Sequence, residues 1–273
     1  LQGDMMISFT KLLSIDTDIF DSKKIKFVRH KDSRHEYREL IKDRDELLKY
    51  QAEQSKNVFK DCEYIFSFFG LESSKALFIG VFKVGEIKSA NNKFYYELTE
   101  VDGFDDYKDR VVINWGKAAI SWHQWANEND KEVVEILPKG YLGNFPGLLN
   151  FALDFNELRM LSENTEANKD WFYNLSSVNG IYLILDKKTG EQYVGSAYGK
   201  NGIWQRWSEY ARNGHGGNKL LRELCESDAN YHKNFRFTVL QTLPSNLSDN
   251  EVIAHETLYK EKLGTRAFGL NAN

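Results

Sequence analysis

Between residues 62 and 137, five short segments (62–69, 76–84, 94–99, 110–115 and 133–137) are rich in β-branched and aromatic side chains and are separated by Gly, Asn and Asp. Side chains that are stiff at χ1 or broad and flat fit a pleated, half-buried surface, so this stretch predicts the strands of a small barrel or sandwich. The sixty residues before it read differently. His35-Glu36-Tyr37-Arg38-Glu39-Leu40-Ile41, continuing to Leu47-Leu48, places apolar residues every three or four positions, which predicts one or two amphipathic helices. Acids alternate with bases there, as on a solvated helix face and not on a DNA-binding one. A first domain of α+β class with a β-rich core is the expectation.

At 273 residues, with 41% apolar and 28% charged side chains, the chain is long enough for two domains of a soluble protein. It holds no apolar run near the roughly 18 residues of a membrane span, so no membrane partner is expected. From 155 to 174 the sequence turns polar, with a short helix expected at 156–159 and a connection at 164–168. We therefore expect a boundary near 164–170, giving domains 1–167 and 168–273. No internal repeat or low-complexity tract interrupts this plan. Cys62 and Cys225 stand apart from any Cys or His ligand spacing, which argues for a reducing compartment and against structural zinc. No basic region followed by an apolar stretch marks the N-terminus for export, so a cytoplasmic location is expected.

The net charge of −4 speaks against a nucleic-acid partner only until its distribution is read. Residues 179–273 hold 12 Lys and Arg against 10 Asp and Glu, a balance of +2, whereas the remainder holds 24 against 30, a balance of −6. Phosphate binding depends on a local patch, not on the sum.

The second domain opens on a hairpin, with strands at 180–185 and 192–194 joined by the turn Asp186-Lys187-Lys188-Thr189-Gly190. A helix is expected at 202–210, then the loop Asn213-Gly214-His215-Gly216-Gly217-Asn218, a helix at 219–226 and a strand at 235–240. A last helix begins at Ser248 and carries Glu256 towards Gly264. Ile203 and Trp207 are expected on one face of the first of these helices, packing it on the sheet together with Trp204, and Arg206 and Tyr210 on another.

Gly180-Ile181-Tyr182 and, ten residues further on, Tyr193-Val194-Gly195 resemble the two tripeptides of the GIY-YIG nucleases, with Val at the centre of the second. Arg206, Tyr210, Glu256 and the Asn271 of Gly269-Leu270-Asn271 follow in the family's order, so the resemblance spans about 95 residues and leaves 1–177 uncovered. It implies a small central antiparallel sheet flanked by helices and an endonuclease that uses Mg²⁺, with Mn²⁺ as a substitute, on double-stranded DNA. It also implies that Tyr182 and Tyr193 line the catalytic surface and that Tyr182 takes the proton from water. Arg206 and Tyr210 would meet the phosphate, Glu256 would hold the metal, and Asn271 would support the geometry.

The residue types suit that chemistry. Phosphodiester hydrolysis must activate water and neutralise charge growing on phosphoryl oxygens. A guanidinium fork matches a phosphate, and one carboxylate suffices for a Mg²⁺ that keeps its waters. A free phenol titrates near 10, so Tyr182 needs a nearby cation to act as a base, or else serves as an orienting hydrogen bond. Lys200 and Lys219 are candidates for phosphate contacts, and His215 for a DNA contact or a loop cap. His255 beside Glu256 lacks a second carboxylate for a metal pair.

Specificity is expected from the first domain. The stretch with Trp115, Trp122, His123, Trp125, Tyr141 and Phe145 reads as core or, alternatively, as a pocket in which Trp122 and Trp125 stack on a flipped or modified base of a PUA-like fold. A restriction or phage-defence enzyme is the leading expectation. A repair or mobile-element nuclease and an inactive DNA-binding module are the alternatives. One active site per chain requires a homodimer or two successive encounters to cut both strands.

Overall fold

A computed structural model describes residues 6–31, 44–116 and 121–272. Of the helical stretch expected over 35–48, residues 35–43 lie outside the described residues and 44–48 are helical. The chain forms two compact units, Leu1–Pro138 and Lys139–Asn273.

The first unit is α+β and holds helices α1 (Phe9–Leu13) and α2 (Arg44–Ala52). Its strands are β1 (Ile25–His30), β2 (Glu53–Gln54), β3 (Tyr64–Gly70), β4 (Lys75–Ala90), β5 (Lys93–Glu100), β6 (Val111–Asn114), β7 (His123–Trp125) and β8 (Glu132–Ile136). All eight join one sheet, ordered β2-β5-β4-β3-β1-β7, with β6 pairing β4 and β8 pairing β6. The five segments expected as strands are strands. β1 was not expected: it is buried along its length and runs parallel to β3, in a region that reads as helical by its charges. Its charged residues are accommodated by tryptophan faces, Lys26 Nζ lying 4.4 Å from the centre of the Trp125 ring and the Arg29 guanidinium 5.2 Å from that of Trp115. Phe9, Phe27, Phe66, Phe68, Phe78 and Trp115 form the larger core, and Val28, Phe59, Ile65 and Tyr96 a second one.

In the second unit, β9 (Leu153–Asp154), α3 (Phe155–Glu163) and α4 (Lys169–Ser176) precede the hairpin β10 (Asn179–Asp186) and β11 (Gln192–Ala197). Helices α5 (Gly202–Asn213) and α6 (Lys219–Ser227), strand β12 (Phe235–Leu243) and helices α7 (Asp249–Leu263) and α8 (Thr265–Phe268) complete it. The unit therefore starts well before the expected boundary at 164–170. β9 pairs with β12 through Leu153 and Phe237, and Phe145 packs on Trp171, so residues ahead of that boundary bury their apolar surface in this unit's core.

The sheet is antiparallel in the order β11-β10-β12-β9. Side chains alternate across β10, sending Tyr182 and Ile184 into one core with Trp171, Trp207 and Phe237, and Ile181 into another with Val252 of α7. The hairpin turn is held by Asp186, which accepts from Lys188 N, Thr189 Oγ1 and Tyr231 Oη, while Gly190 supplies the positive φ of +82°. Among the described residues no helix is long and apolar enough to cross a membrane.

Candidate active site

α5 ends on Gly214 in the left-handed conformation and buries Ile203, Trp207 and Tyr210 on one face. Tyr210 therefore shares the buried face of Trp207, contrary to the expected grouping with Arg206 on a separate face. Arg206 sits at the margin of that face, its side chain 28% exposed. α7 starts with a capping box between Ser248 and Glu251, ends on Gly264 and lies against β10 and β11 on the opposite side of the sheet. Because β11 is the sheet's end strand, side chains from both faces can meet at its edge. There Tyr182, Tyr193, Ser196, Ala197, Tyr198, Gln205, Arg206, Glu209 and Glu256 line one cleft of about 330 Å³.

Three groups interlock at its floor. The Tyr182 and Tyr210 hydroxyls lie 3.0 Å apart, Arg206 Nε donates to Tyr182 Oη at 3.3 Å and Arg206 Nη2 to Tyr210 Oη at 3.4 Å. Burial raises the Tyr182 phenol above its usual range, and the neighbouring Tyr193 adds to this, against the pull of Arg206 and Tyr210. Tyr210 is raised as well, again chiefly by burial. For Arg206 burial acts to lower the guanidinium, but the Tyr182 and Tyr210 oxygens and Glu209 outweigh it and the net direction is up. In the free protein Tyr182 is thus a protonated phenol at neutral pH, able to orient a water, beside a permanently charged guanidinium.

Glu256 is held from two sides, accepting from Ser196 Oγ on Oε2 and pairing with Lys260 Nζ through Oε1 at 2.6 Å. Lys260 is 5% exposed. Glu209 pairs with Arg206 Nη1 from one turn on. Ser196, Glu209 and Lys260 were not among the expected site residues. Glu209 and Lys260 stand at i+3 and i+4 from known candidates, a spacing that signals such pairs, whereas nothing local connects Ser196 to Glu256.

Two glycines of the tripeptides are explained by contact. A Cβ on Gly195 would overlap the Tyr182 ring and hydroxyl, and a Cβ on Gly180 would come within 2.9 Å of both Gln241 O and Ile203 Cδ1. Asn271 lies outside the cleft and buttresses its rim: Oδ1 accepts from Val194 N at 2.9 Å and Nδ2 donates to Val194 O at 2.8 Å, completing the free edge of β11. Asn271→Ala leaves both buried groups without these partners, and we expect a loss of about 2–3 kcal/mol in stability, read by chemical denaturation.

Lys200 and Lys219 are exposed and do not line the cleft. His215 is half-buried and its Nδ1 accepts from Gly217 N at 3.0 Å, so it caps the glycine loop. In the first unit Trp122 and Trp125 are half-buried against the smaller core, Trp122 edge-on to Phe59 and Trp125 under Lys26. Trp115 is core, and Tyr141 and Phe145 belong to the second unit. Among the described residues no three His, Cys, Asp or Glu side chains gather around a common point. His255 is half-buried and does not line the cleft. For one hard divalent cation the cleft still fits, because Glu256 faces it amid hydroxyl oxygens and no soft donor.

No family model and no curated protein matches the chain. Among solved structures it is similar to the catalytic domain of the homing endonuclease I-TevI, at 23% identity and a TM-score of 0.28, over 35% of this chain and 98% of that one. A point mutant of the catalytic domain of the intron endonuclease I-TevI is similar at 21% identity and a TM-score of 0.29, over 35% and 94% of the two chains. Likeness this slight does not bear on the chemistry, which rests on the cleft's own side chains.

Proposed function

We propose that the protein is a Mg²⁺-dependent endonuclease that hydrolyses phosphodiester bonds of double-stranded DNA. The observation that carries this reading is the convergence of Tyr182, Tyr193, Arg206 and Glu256, from four separate elements, on one cleft. Arg206 meets the non-bridging oxygens of the scissile phosphate with its charge, and Tyr182 and Tyr210 hold the fork in place. Tyr193 and Tyr182 orient the attacking water, Tyr182 at an oxygen that burial keeps protonated in the free protein. Glu256 would hold the metal, for which it exchanges its contact with Lys260. When bound, the ion supplies positive charge that lowers the pKa of its water and offsets charge on the phosphoryl group.

Within this proposal, Lys200, Lys219 and His215 contact the flanking backbone, and the first unit reads the target through Trp122 and Trp125. A chain with one such cleft cuts both strands as a homodimer or in two encounters. A restriction or phage-defence role is the one we assign to that pairing of reader and cutter.

Incubation of the purified chain with supercoiled plasmid and with modified phage DNA tests the reading. Nicked or linear product is expected with Mg²⁺ or Mn²⁺ and not with EDTA; intact DNA of both kinds in the presence of either metal would reject it.

A further inference from the structure

Each N–H-bearing nitrogen of the Arg206 fork already faces a partner. Nε and Nη2 face the Tyr182 and Tyr210 hydroxyls, both on fully buried side chains, and Nη1 is paired with Glu209. The phenols have no room to leave, whereas the Glu209 side chain is 39% exposed and lines the same cleft. A phosphate oxygen approaching Arg206 therefore meets another anion already bound at Nη1. Glu256 is matched in the same way by Lys260, so each of these two cations of the site is already offset by an anion.

We propose that Glu209 is a positioning residue: it holds Arg206 through Nη1, yields Nη1 to the phosphate, and so sets how tightly the cleft takes a phosphodiester. This rests on the phosphodiester reading of the cleft. The exchanged carboxylate remains near the phosphate as a like charge, which weakens binding of any single phosphate by about fivefold at a separation of about 4 Å in water. A duplex bears this cost through its many other backbone contacts, and a free phosphate does not. Glu209 accordingly lowers the cleft's affinity for either kind of phosphate by a similar factor, and the isolated one has no further contacts to offset the loss.

The test compares full-length wild type, Glu209→Gln, Glu209→Asp and Arg206→Ala in binding a fluorescent duplex in EDTA, in the inhibition of that binding by inorganic phosphate, and in cleavage with Mg²⁺. Glu209→Gln is expected to bind the duplex about fivefold more tightly, to lower KM in step, and to become more sensitive to inorganic phosphate. Glu209→Asp keeps the charge on a side chain one methylene shorter, and is expected to gain clearly less duplex affinity than Glu209→Gln. Unchanged or weaker binding by Glu209→Gln, or an Asp variant that behaves like Gln, overturns the proposal. Should Arg206→Ala leave duplex affinity and cleavage intact, the phosphodiester reading falls and this inference falls with it. Weaker binding by Arg206→Ala without tighter binding by Glu209→Gln removes the role of Glu209 alone.

Discussion

Glu256→Gln is expected to slow the proposed Mg²⁺-dependent plasmid nicking by about three orders of magnitude, because a metal ion held there would supply several kcal/mol of charge stabilisation in the transition state. The amide keeps the size of the carboxylate and can still accept from Ser196, so the shape of the cleft survives. Its charge does not. Lys260, 5% exposed, then loses the carboxylate at 2.6 Å, and a drop in thermal stability is expected alongside the loss of rate. Nicking rates at saturating Mg²⁺, with melting temperatures measured on the same samples, separate the two effects. A folded variant that nicks at the wild-type rate would remove Glu256 from the chemistry.

Gly195→Ala is the second large effect. The new methyl overlaps the Tyr182 ring, and that ring cannot retreat because Trp207 and Tyr210 pack edge-on against it at 6.1 Å and 6.0 Å between centroids. Overpacking of this kind costs about 1–3 kcal/mol. Relief by a shift of about 1 Å in Tyr182 would also disturb its hydrogen bonds to Arg206 and Tyr210, a displacement that can lower a rate about 100-fold. Denaturation midpoints and single-turnover cleavage read the two consequences. Wild-type values for both would show that the close approach of β11 to Tyr182 is dispensable.

Part of this protein was legible before any coordinates. The hairpin, its Asp186–Gly190 turn and the helices bearing Arg206 and Glu256 each carry local signals: alternation, a positive-φ glycine, a capping box. Other parts were hidden because their signals are not local. β1 looked like a charged helix segment, since Lys26 and Arg29 find their environment on tryptophans nearly a hundred residues away. The early start of the second unit turns on β9, whose two residues are too few to show any period and become a strand only through β12. Tyr210 appeared to share a face with Arg206, yet it is fully buried because Gly216 of the next loop packs on its ring, where a Cβ would approach to 2.7 Å.

The amino-acid order by itself determined which residue types stand at Tyr182, Tyr193, Arg206, Tyr210 and Glu256, and that each lies on a strand or helix able to hold it, since propensity, caps and turns act over a few neighbours. Only the tertiary structure decided that Tyr182, Tyr193, Arg206 and Glu256 share a cleft, that the buried Tyr210 meets Tyr182 and Arg206 behind it, that Ser196 and Lys260 grip Glu256, and that Glu209 occupies Arg206. The physical reason is the edge of β11. Helices from opposite faces of a sheet reach one another only where the sheet stops, and where it stops depends on strand pairing and long-range packing across the whole unit.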